Sequence, residues 1–278
     1  MNQTSDTATP ATGHSSACVL TKVDGRILHI TINRPDRHNA LDSATHTQMA
    51  EAFDRFAADD DLWIAVIRGA GDKAFCAGGD IKAMNDAAQG GEPYVAPPSG
   101  YGGLTSRFNL NKPVIAAVNG LAMGGGFEIA LAADIVIAVE HARFGLPEPL
   151  IGVAALAGGM HRLPRQIGMK RAMGMLLSGD SIDARTALEW GLVNQVASAS
   201  EFDEVIAAWL TKLLRAAPLS LRVTKECVRE GLDLSLEQAI RRQDTGGYAE
   251  LERLRKSRDV LEGIAAFAEK RPPRWEGR

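Results

Sequence analysis

The chain has 278 residues, of which 45% are hydrophobic and 23% charged, as expected of a globular protein with a sizeable core. Its formal net charge of −3 gives no reason to expect nucleic acid or an anionic membrane as the main partner. The cysteines Cys18, Cys76 and Cys227 have neither the number nor the spacing of a disulfide framework or a zinc site, which favours a reducing, cytoplasmic location.

Two segments bear on targeting. Residues 1–16 are rich in Ser, Thr and Ala and lack an apolar stretch, so we predict a disordered tail and no secretory signal. The longest apolar stretch, Val114 to Val139, contains Glu128 and Asp134. Because each buried acid would cost about 2.5–3.5 kcal/mol at the centre of a membrane helix, we expect no membrane-spanning helix there.

Hydrophobic patterns predict short strands alternating with helices. In chain order the predicted elements are a hairpin over 19–32 that turns at Asp24-Gly25, a helix capped by Asp42 or Ser43, strands over 62–67, 114–118 and 135–139, and a helix over about 127–133. The segment 87–103 shows no periodicity and is predicted to be a long irregular loop. From about residue 160 the chain is predicted to be mostly helical, with helices over 184–191, 201–215, 218–230 and 236–268. This order predicts an α/β fold with a C-terminal helical region.

Two glycine-rich segments follow predicted strands. Gly124-Gly125-Gly126 lies where a strand passes into a helix, and the segment 76–80 follows another apolar strand. Glycine lets the backbone approach a ligand closely, and the first N–H groups of a helix lack intrahelical partners, so they can stabilise negative charge on a ligand. Each segment could also be only a tight turn. Neither has the sequence of a P-loop or a dinucleotide-binding fingerprint.

Two acids lie in unusual surroundings. Glu128 is part of the apolar run 122–133, where burial would raise its pKa toward the range useful for proton transfer. Glu148 stands between Pro147 and Pro149, which fix the local backbone. The alternatives are a helix N-terminal charge for Glu128 and an exposed turn acid for Glu148. Twenty positions separate the two acids, and the sequence does not show whether they meet.

Several ordered motifs resemble the crotonase (enoyl-CoA hydratase/isomerase) family across most of the chain. They are Asn33-Arg34-Pro35 with Asn39-Ala40-Leu41, the segment 74–82, Asn119 to Glu128 with Asp134, Phe144 to Glu148, Gly158-Gly159 with 162–164, and the segments 187–193 and 267–272. The resemblance implies a crotonase-like spiral of β-β-α units. It also implies an acyl-CoA thioester substrate whose enolate is stabilised by the backbone N–H groups of Gly79 and Gly125.

The resemblance also assigns roles to other residues. In hydratases of this family two glutamates hold a water molecule, and the matching positions carry Glu128 and Glu148. The presence of both favours reversible hydration of a 2-enoyl-CoA. The residues expected along the substrate and its CoA are Ala40, Leu41, Ala77, Gly79, Asp80, Ile81, Lys82 and Gly125. Asp80 is expected mainly to fix its loop or cap the following helix.

Further implications concern organisation and partners. The active site and CoA site are expected in a core over 17–200, and residues 201–278 are expected to be a helical region through which family members form a homotrimer or a hexamer. No metal or redox cofactor is implied, since coenzyme A is part of the substrate. No nucleic acid or membrane partner is implied either.

The chain departs from the family pattern in the loop after the second acid. Many hydratases have a Pro-Gly pair there, whereas this chain has Ala155-Leu156, and we expect the leucine to narrow the pocket or shift the water. The stretches 124–128 and 187–194 are similar to carnitinyl-CoA dehydratases, which run the same chemistry toward elimination.

Two other functions stay open. One is an isomerase that moves a double bond from position 3 to position 2, with one glutamate shuttling the proton. The other is a non-catalytic family member that binds RNA through a basic helix. Basic residues do concentrate over 253–258 and 270–274, although a solvated helix face explains them as well.

Overall fold

The structure, a computed structural model, describes residues 17–278, so the predicted tail over 1–16 lies outside the described residues. The strands are β1 (Val19–Asp24), β2 (Ile27–Ile32), β3 (Ile64–Gly69), β4 (Ala74–Cys76), β5 (Val114–Val118), β6 (Leu121–Met123), β7 (Ile135–Val139), β8 (Arg143–Gly145), β9 (Ser181–Asp183) and β10 (Gln195–Ala197). The helices are α1 (Ser43–Ala58), α2 (Ile81–Ala88), α3 (Gly125–Ala132), α4 (Gly159–Ile167), α5 (Met169–Ser178), α6 (Ala184–Glu189), α7 (Phe202–Leu214), α8 (Pro218–Gly231), α9 (Leu236–Asp244), α10 (Ala249–Arg255) and α11 (Arg258–Ala268).

The larger of two sheets has six strands in the order β1-β2-β3-β5-β7-β10. β1 pairs antiparallel with β2, and the other neighbouring pairs are parallel. Inner strands such as β5 are apolar and buried along their whole length. Continuous apolar runs of this kind are typical of parallel strands that are covered on both faces.

The smaller sheet has the strand order β4-β6-β8-β9, and its first three strands are parallel. The chain alternates between the sheets: β3, β4 and α2 form one turn, and β5, β6 and α3 form the next. β7 and β8 begin a third turn. The expectation of an α/β spiral of β-β-α units is confirmed.

Several local predictions differ from the structure. The hairpin connection is Gly25-Arg26, one residue later than predicted, because Asp24 still pairs with Ile27. Helix α3 begins at Gly125, about two residues earlier than predicted. The short strands β4, β6, β8, β9 and β10 were missed, because a strand of three residues is too short to show a period.

The C-terminal part is helical, as expected, but the predicted helix over 236–268 is three helices. Gly246, with φ of 76°, lies in the break between α9 and α10. Arginines of this region form ion pairs within the chain: Arg253 with Asp60, Arg255 with Glu252, Arg258 with Glu276, and Arg271 with Glu262. Over residues 17–278 no helix is both long enough and apolar enough to cross a membrane.

Candidate active site

The candidate site lies where three parallel strands of the smaller sheet end. Gly78 and Gly79 follow β4, Gly124 and Gly125 follow β6, and Glu148 follows β8. Parallel strands that are neighbours bring their carboxyl ends to one edge of the sheet, which is where ligands of such sheets commonly bind. Strand pairing therefore brings together residues that the sequence spreads over seventy positions.

The two glycine-rich segments are in contact. A Cβ placed on Gly78 would lie 3.0 Å from the Met123 carbonyl oxygen and 3.3 Å from the backbone nitrogen of Gly125. Gly125 is the first residue of α3, so its N–H has no intrahelical acceptor. Within residues 17–278 neither the Gly79 nor the Gly125 N–H donates a hydrogen bond to the protein. Both groups are therefore available to a ligand oxygen.

Close packing explains why α3 starts with glycines. A Cβ on Gly126 would overlap the carbonyl oxygen of Cys76 in β4, and a Cβ on Gly125 would overlap the ring of Tyr101. The first contact is with backbone, which has little room to move. Glycine at these positions lets consecutive turns of the spiral approach closely enough to bring the two glycine-rich segments into contact.

Glu128 is a buried carboxyl, with a residue exposure of 3%. Its Oε1 atom accepts a hydrogen bond of 2.8 Å from the N–H of Gly159, the first residue of α4. Burial raises the pKa of Glu128 to about 7, and the nearby Glu148 carboxylate adds to the rise against the opposing effect of the Gly159 hydrogen bond. Near neutral pH this group can therefore both donate and accept a proton.

Glu148 begins a short 3-10 helix, Glu148–Ile151, directly after β8. Its Oε1 atom lies against Gly124, 3.0 Å from where a Cβ of that residue would be. Its Oε2 atom is buried and has no hydrogen-bond partner among the described residues. Burial raises the pKa of Glu148 as well. A buried oxygen without a hydrogen-bond partner is costly unless a ligand or a water molecule donates a hydrogen bond to it. We therefore expect a ligand or a water molecule to bind this oxygen of Glu148.

A hydrogen-bonded aromatic cluster lies beside the two glycine segments. The Tyr94 hydroxyl is 2.9 Å from the Tyr101 hydroxyl, 3.0 Å from Nε2 of His46, and 3.0 Å from the carbonyl oxygen of Leu41. Nδ1 of His46 accepts the N–H of Gly102 at 3.0 Å. The His46 and Tyr101 rings meet edge to face, with centroids 4.3 Å apart. We call His46, Tyr94 and Tyr101 the aromatic relay.

The residues expected along the CoA moiety surround the first glycine segment. Leu41 donates its N–H to the Gly78 carbonyl at 2.8 Å and accepts the Asp80 N–H at 2.9 Å, which ties the two segments together. Ala77 is partly buried, and its N–H donates to His38 at 3.0 Å. Ala40 is buried, whereas Ile81 and Lys82 are exposed at the start of α2. Contact of these residues with CoA stays a prediction.

Arg34 joins the starts of two helices. Asp42 caps α1 and Asp80 caps α2, each through a side-chain oxygen that accepts backbone N–H groups. The Arg34 guanidinium lies 2.9 Å from both carboxylates and also donates to the Ala40 carbonyl. The expectation that Asp80 caps a helix is confirmed, and Arg34 acts by holding both caps in place.

The expectation that Leu156 narrows the pocket is wrong. Its side chain is 80% exposed, so it does not narrow the space between the acids. Ala155 is the buried member of the pair, and a Cβ on Gly159 would lie 3.0 Å from its methyl group. Of this pair, Ala155 is the residue that packs next to the site. It contacts Gly159, whose N–H donates to Glu128.

Sequence reasoning missed Gly159 as a partner of Glu128 and missed the whole aromatic relay. A signal existed for His46, which shares an apolar face of α1 with Met49 and Phe53. Tyr94 and Tyr101 lie in the segment without periodicity, where no sequence pattern predicts a contact.

Comparison with known proteins places these features in a family. The enoyl-CoA hydratase/isomerase family model matches residues 22–278. Over 255 residues the chain is 43% identical to a carnitinyl-CoA dehydratase of Proteus mirabilis, covering 91% of this chain and 96% of that relative. It is 44% identical to a carnitinyl-CoA dehydratase of Salmonella arizonae with the same coverage.

Solved structures show the same likeness. The fold is similar to an enoyl-CoA hydratase from Mycobacterium marinum, with a TM-score of 0.86 and 38% identity over 95% of this chain and 100% of that chain. An enoyl-CoA hydratase from Mycobacterium tuberculosis has a TM-score of 0.87 and 37% identity with the same coverage.

Proposed function

This chain belongs to the enoyl-CoA hydratase/isomerase (crotonase) family, and we propose that it catalyses the reversible elimination of water from a 3-hydroxyacyl-CoA thioester. The observation that carries the proposal is the approach of a buried carboxyl group, Glu128, and a half-buried one, Glu148, to two unpaired backbone N–H groups at one sheet edge. This is the set of groups that an enolate mechanism requires.

The thioester oxygen accepts hydrogen bonds from the N–H groups of Gly79 and Gly125. When a carboxylate removes the proton from the α-carbon, negative charge moves onto this oxygen, and each well-placed donor is worth about 2.7–4 kcal/mol at that stage. The carbon–oxygen bond at the β-carbon then breaks as the other carboxyl group gives its proton to the departing hydroxyl. Water leaves. The carboxylate that acted as base has gained a proton, and the carboxyl group that acted as acid has lost one.

This chemistry needs one neutral and one ionised carboxyl group at the same time. The raised pKa of both Glu128 and Glu148 favours such a state near neutral pH, because the second ionisation of a close pair is disfavoured. Hydration of a 2-enoyl-CoA is the same sequence in reverse. We therefore assign the proton transfers to Glu128 and Glu148 together, for dehydration as well as for hydration.

For the substrate, the comparisons favour dehydration of a carnitinyl-CoA-type thioester over hydration of a plain straight-chain enoyl-CoA. Identity to the carnitinyl-CoA dehydratases is 43–44%, against 37–38% for the two enoyl-CoA hydratases. The sequence-based preference for simple hydration accordingly becomes the second candidate. Double-bond isomerisation requires only one of the two acids, so the second buried acid speaks against it.

Glutamine variants test the acid pair. Purified protein is assayed with carnitinyl-CoA, crotonobetainyl-CoA and crotonyl-CoA by the ultraviolet absorbance of the enoyl thioester and by product analysis. Glu128→Gln and Glu148→Gln should each lower kcat by about 10²–10⁴, the usual value of general acid–base catalysis. Glutamine keeps the size of the side chain and can still accept the Gly159 N–H.

The matched control is Glu140→Gln, because Glu140 is an exposed glutamate between β7 and β8. It should have the parent rate. Near-parental rates in both active-site variants would contradict the assignment. Activity on crotonyl-CoA with none on carnitinyl-CoA or crotonobetainyl-CoA would instead favour the second candidate.

A further inference from the structure

The aromatic relay has one arrangement of protons that satisfies all of its bonds. The Gly102 N–H donates to Nδ1 of His46, so the proton of the neutral ring is on Nε2 and points to the Tyr94 oxygen. Burial lowers the pKa of His46 to about 4, which keeps the ring neutral at pH 7. The Leu41 carbonyl can only accept, so Tyr94 donates its proton there.

The direction of the last bond follows. With its one proton given to Leu41, the Tyr94 oxygen can only accept from Tyr101, so the Tyr101 hydroxyl donates to Tyr94. No proton of Tyr101 is then left for the site. Its oxygen presents lone pairs and can only accept. Burial raises the pKa of Tyr101 well above its usual range, so the phenol stays neutral.

Tyr101 stands next to both oxyanion donors. Its ring occupies the space where a Cβ of Gly125 would be, and its oxygen lies 3.1 Å from where a Cβ of Gly79 would be. The phenol therefore borders the place where an acyl group with its carbonyl oxygen on both N–H groups would bind. The ring is held by the edge-to-face contact with His46 and by the bond of the Tyr101 N–H to Thr105 Oγ1 at 2.8 Å.

The charges near the phenol favour a positive ligand. Glu128 is near enough to Tyr101 for its charge to raise the pKa of the phenol further, and Glu128 in turn lies near Glu148. The neutral relay adds an electron-rich ring and an acceptor oxygen. The nearby guanidinium of Arg162 is engaged with the Thr105 and Ala157 carbonyl groups, and it faces Glu128. Aromatic faces next to carboxylates are the usual recognition site for quaternary ammonium groups, which have no N–H to donate.

We propose that Tyr101, oriented by Tyr94 and His46, is a specificity-determining residue that selects acyl groups carrying a quaternary ammonium group near the β-carbon. The proposal rests on the function proposed above, since it assigns the substrate preference of that same site. The phenol contributes its ring face and its acceptor oxygen, and it takes no part in proton transfer.

A pair of isosteric substrates tests the proposal. One is crotonobetainyl-CoA, and the other is its tert-butyl analogue, in which a neutral quaternary carbon replaces the nitrogen. The measurement is the ratio of kcat/KM for the cation to kcat/KM for the neutral analogue. The parent protein should prefer the cation by about tenfold or more, which is the range of a partly desolvated cation–π contact.

Three variants separate the parts of the relay. Tyr101→Leu should lower the ratio about tenfold, because the ring is lost. Tyr101→Phe keeps the ring and should lower it about threefold. Tyr94→Phe should also lower it, because the Tyr101 proton is then free to point into the site. The matched control, Tyr248→Phe, removes a buried phenol hydroxyl in the C-terminal region and should leave the ratio unchanged.

The outcomes distinguish the two proposals. A parent ratio near one with both thioesters turned over would overturn the role of Tyr101 and leave the hydro-lyase function standing. A parent preference that Tyr101→Leu and Tyr101→Phe both retain would overturn it as well. Turnover of neither thioester, with crotonyl-CoA also left unchanged, would contradict the proposed function. The ratio of the dissociation constants of the parent protein for the two thioesters then measures the preference without turnover.

Discussion

At the scale of single residues, the pKa of Glu128 links the site to the stability of the fold. Burial raises this pKa from 4.5 to about 7, so the folded state favours the neutral carboxyl group. The resulting stabilisation is complete below about pH 4.5 and is lost as the pH rises through about 7. The shift corresponds to roughly 3 kcal/mol in the free energy of unfolding.

Glu128→Gln should therefore stabilise the protein in a pH-dependent way. Glutamine cannot ionise, so the free energy of unfolding of the variant relative to the parent should grow by on the order of 3 kcal/mol across this window. Urea denaturation at fixed protein concentration and a series of pH values measures it. Glu140→Gln should give a constant difference. A constant difference for Glu128→Gln too would mean that its carboxyl group titrates normally.

The sequence predicted residues that are chemically unusual in their local surroundings. It did not predict contacts between residues that are far apart along the chain. An acid in the apolar run 122–133 had to be buried, paired or neutral, so Glu128 could be chosen from the sequence. The contact between Glu128 and Gly159 depends on how α4 follows the loop after Glu148, and no local pattern encodes that. The aromatic relay likewise joins α1 to a loop about fifty residues later in the chain.

At the scale of elements, the contact of α3 with β4 sets how closely the proposed oxyanion donors, Gly79 and Gly125, approach each other. Gly126→Ala would place a methyl group on the Cys76 carbonyl oxygen, and overpacking against backbone costs about 1–3 kcal/mol or more. We expect this variant to have a lower free energy of unfolding and a lower kcat, because Gly125 would shift with it. Thermal or urea denaturation together with the thioester assay measures both effects.

Gly174→Ala is the matched control within a helix. Gly174 lies in α5, and a Cβ there would meet nothing within 4 Å, so alanine should stabilise the helix by up to about 1 kcal/mol. If Gly126→Ala were as stable as the parent, the close approach of α3 and β4 would not be what sets the donor spacing.

Elements with a long apolar run were predictable, and those defined by pairing were not. β5 and β7 are five-residue apolar runs, whereas β4, β6 and β8 have three residues each. The smaller sheet exists because the spiral stacks these short segments. The sequence therefore did not predict the sheet edge that carries the site, although it did single out the glycines and acids at that edge.

At the scale of the whole molecule, the C-terminal helices expose large apolar side chains. They are Leu232, Leu236, Leu261, Ile264 and Phe267, each at least 66% exposed. Large apolar side chains exposed on a single chain are often covered by a protein–protein contact. They support the prediction that this region mediates assembly into a homotrimer or a hexamer, a prediction that the single chain does not test.

Phe267→Ser tests this prediction. Phe267 is 89% exposed, so the substitution should not disturb the fold of the chain but should shift the parent oligomer toward smaller species in sedimentation velocity. Leu20→Ser on the edge strand β1 is the control, since it removes an exposed apolar side chain far from this region in sequence. A monomeric parent, or an oligomer unaffected by Phe267→Ser, would show that the prediction is wrong.

The proposed oxyanion donors and Tyr101 belong to different structural elements, and this affects how the substrate preference can evolve. The proposed oxyanion donors and catalytic acids belong to strand ends and helix starts, whereas Tyr94 and Tyr101 belong to the long connection between α2 and β5. Long surface connections tolerate insertion and substitution far better than paired strands do. With the roles proposed above, mutation in this connection can change which acyl group is accepted while the groups proposed for the enolate chemistry stay in place. Grafting the connection between relatives is then a direct route to a new substrate range.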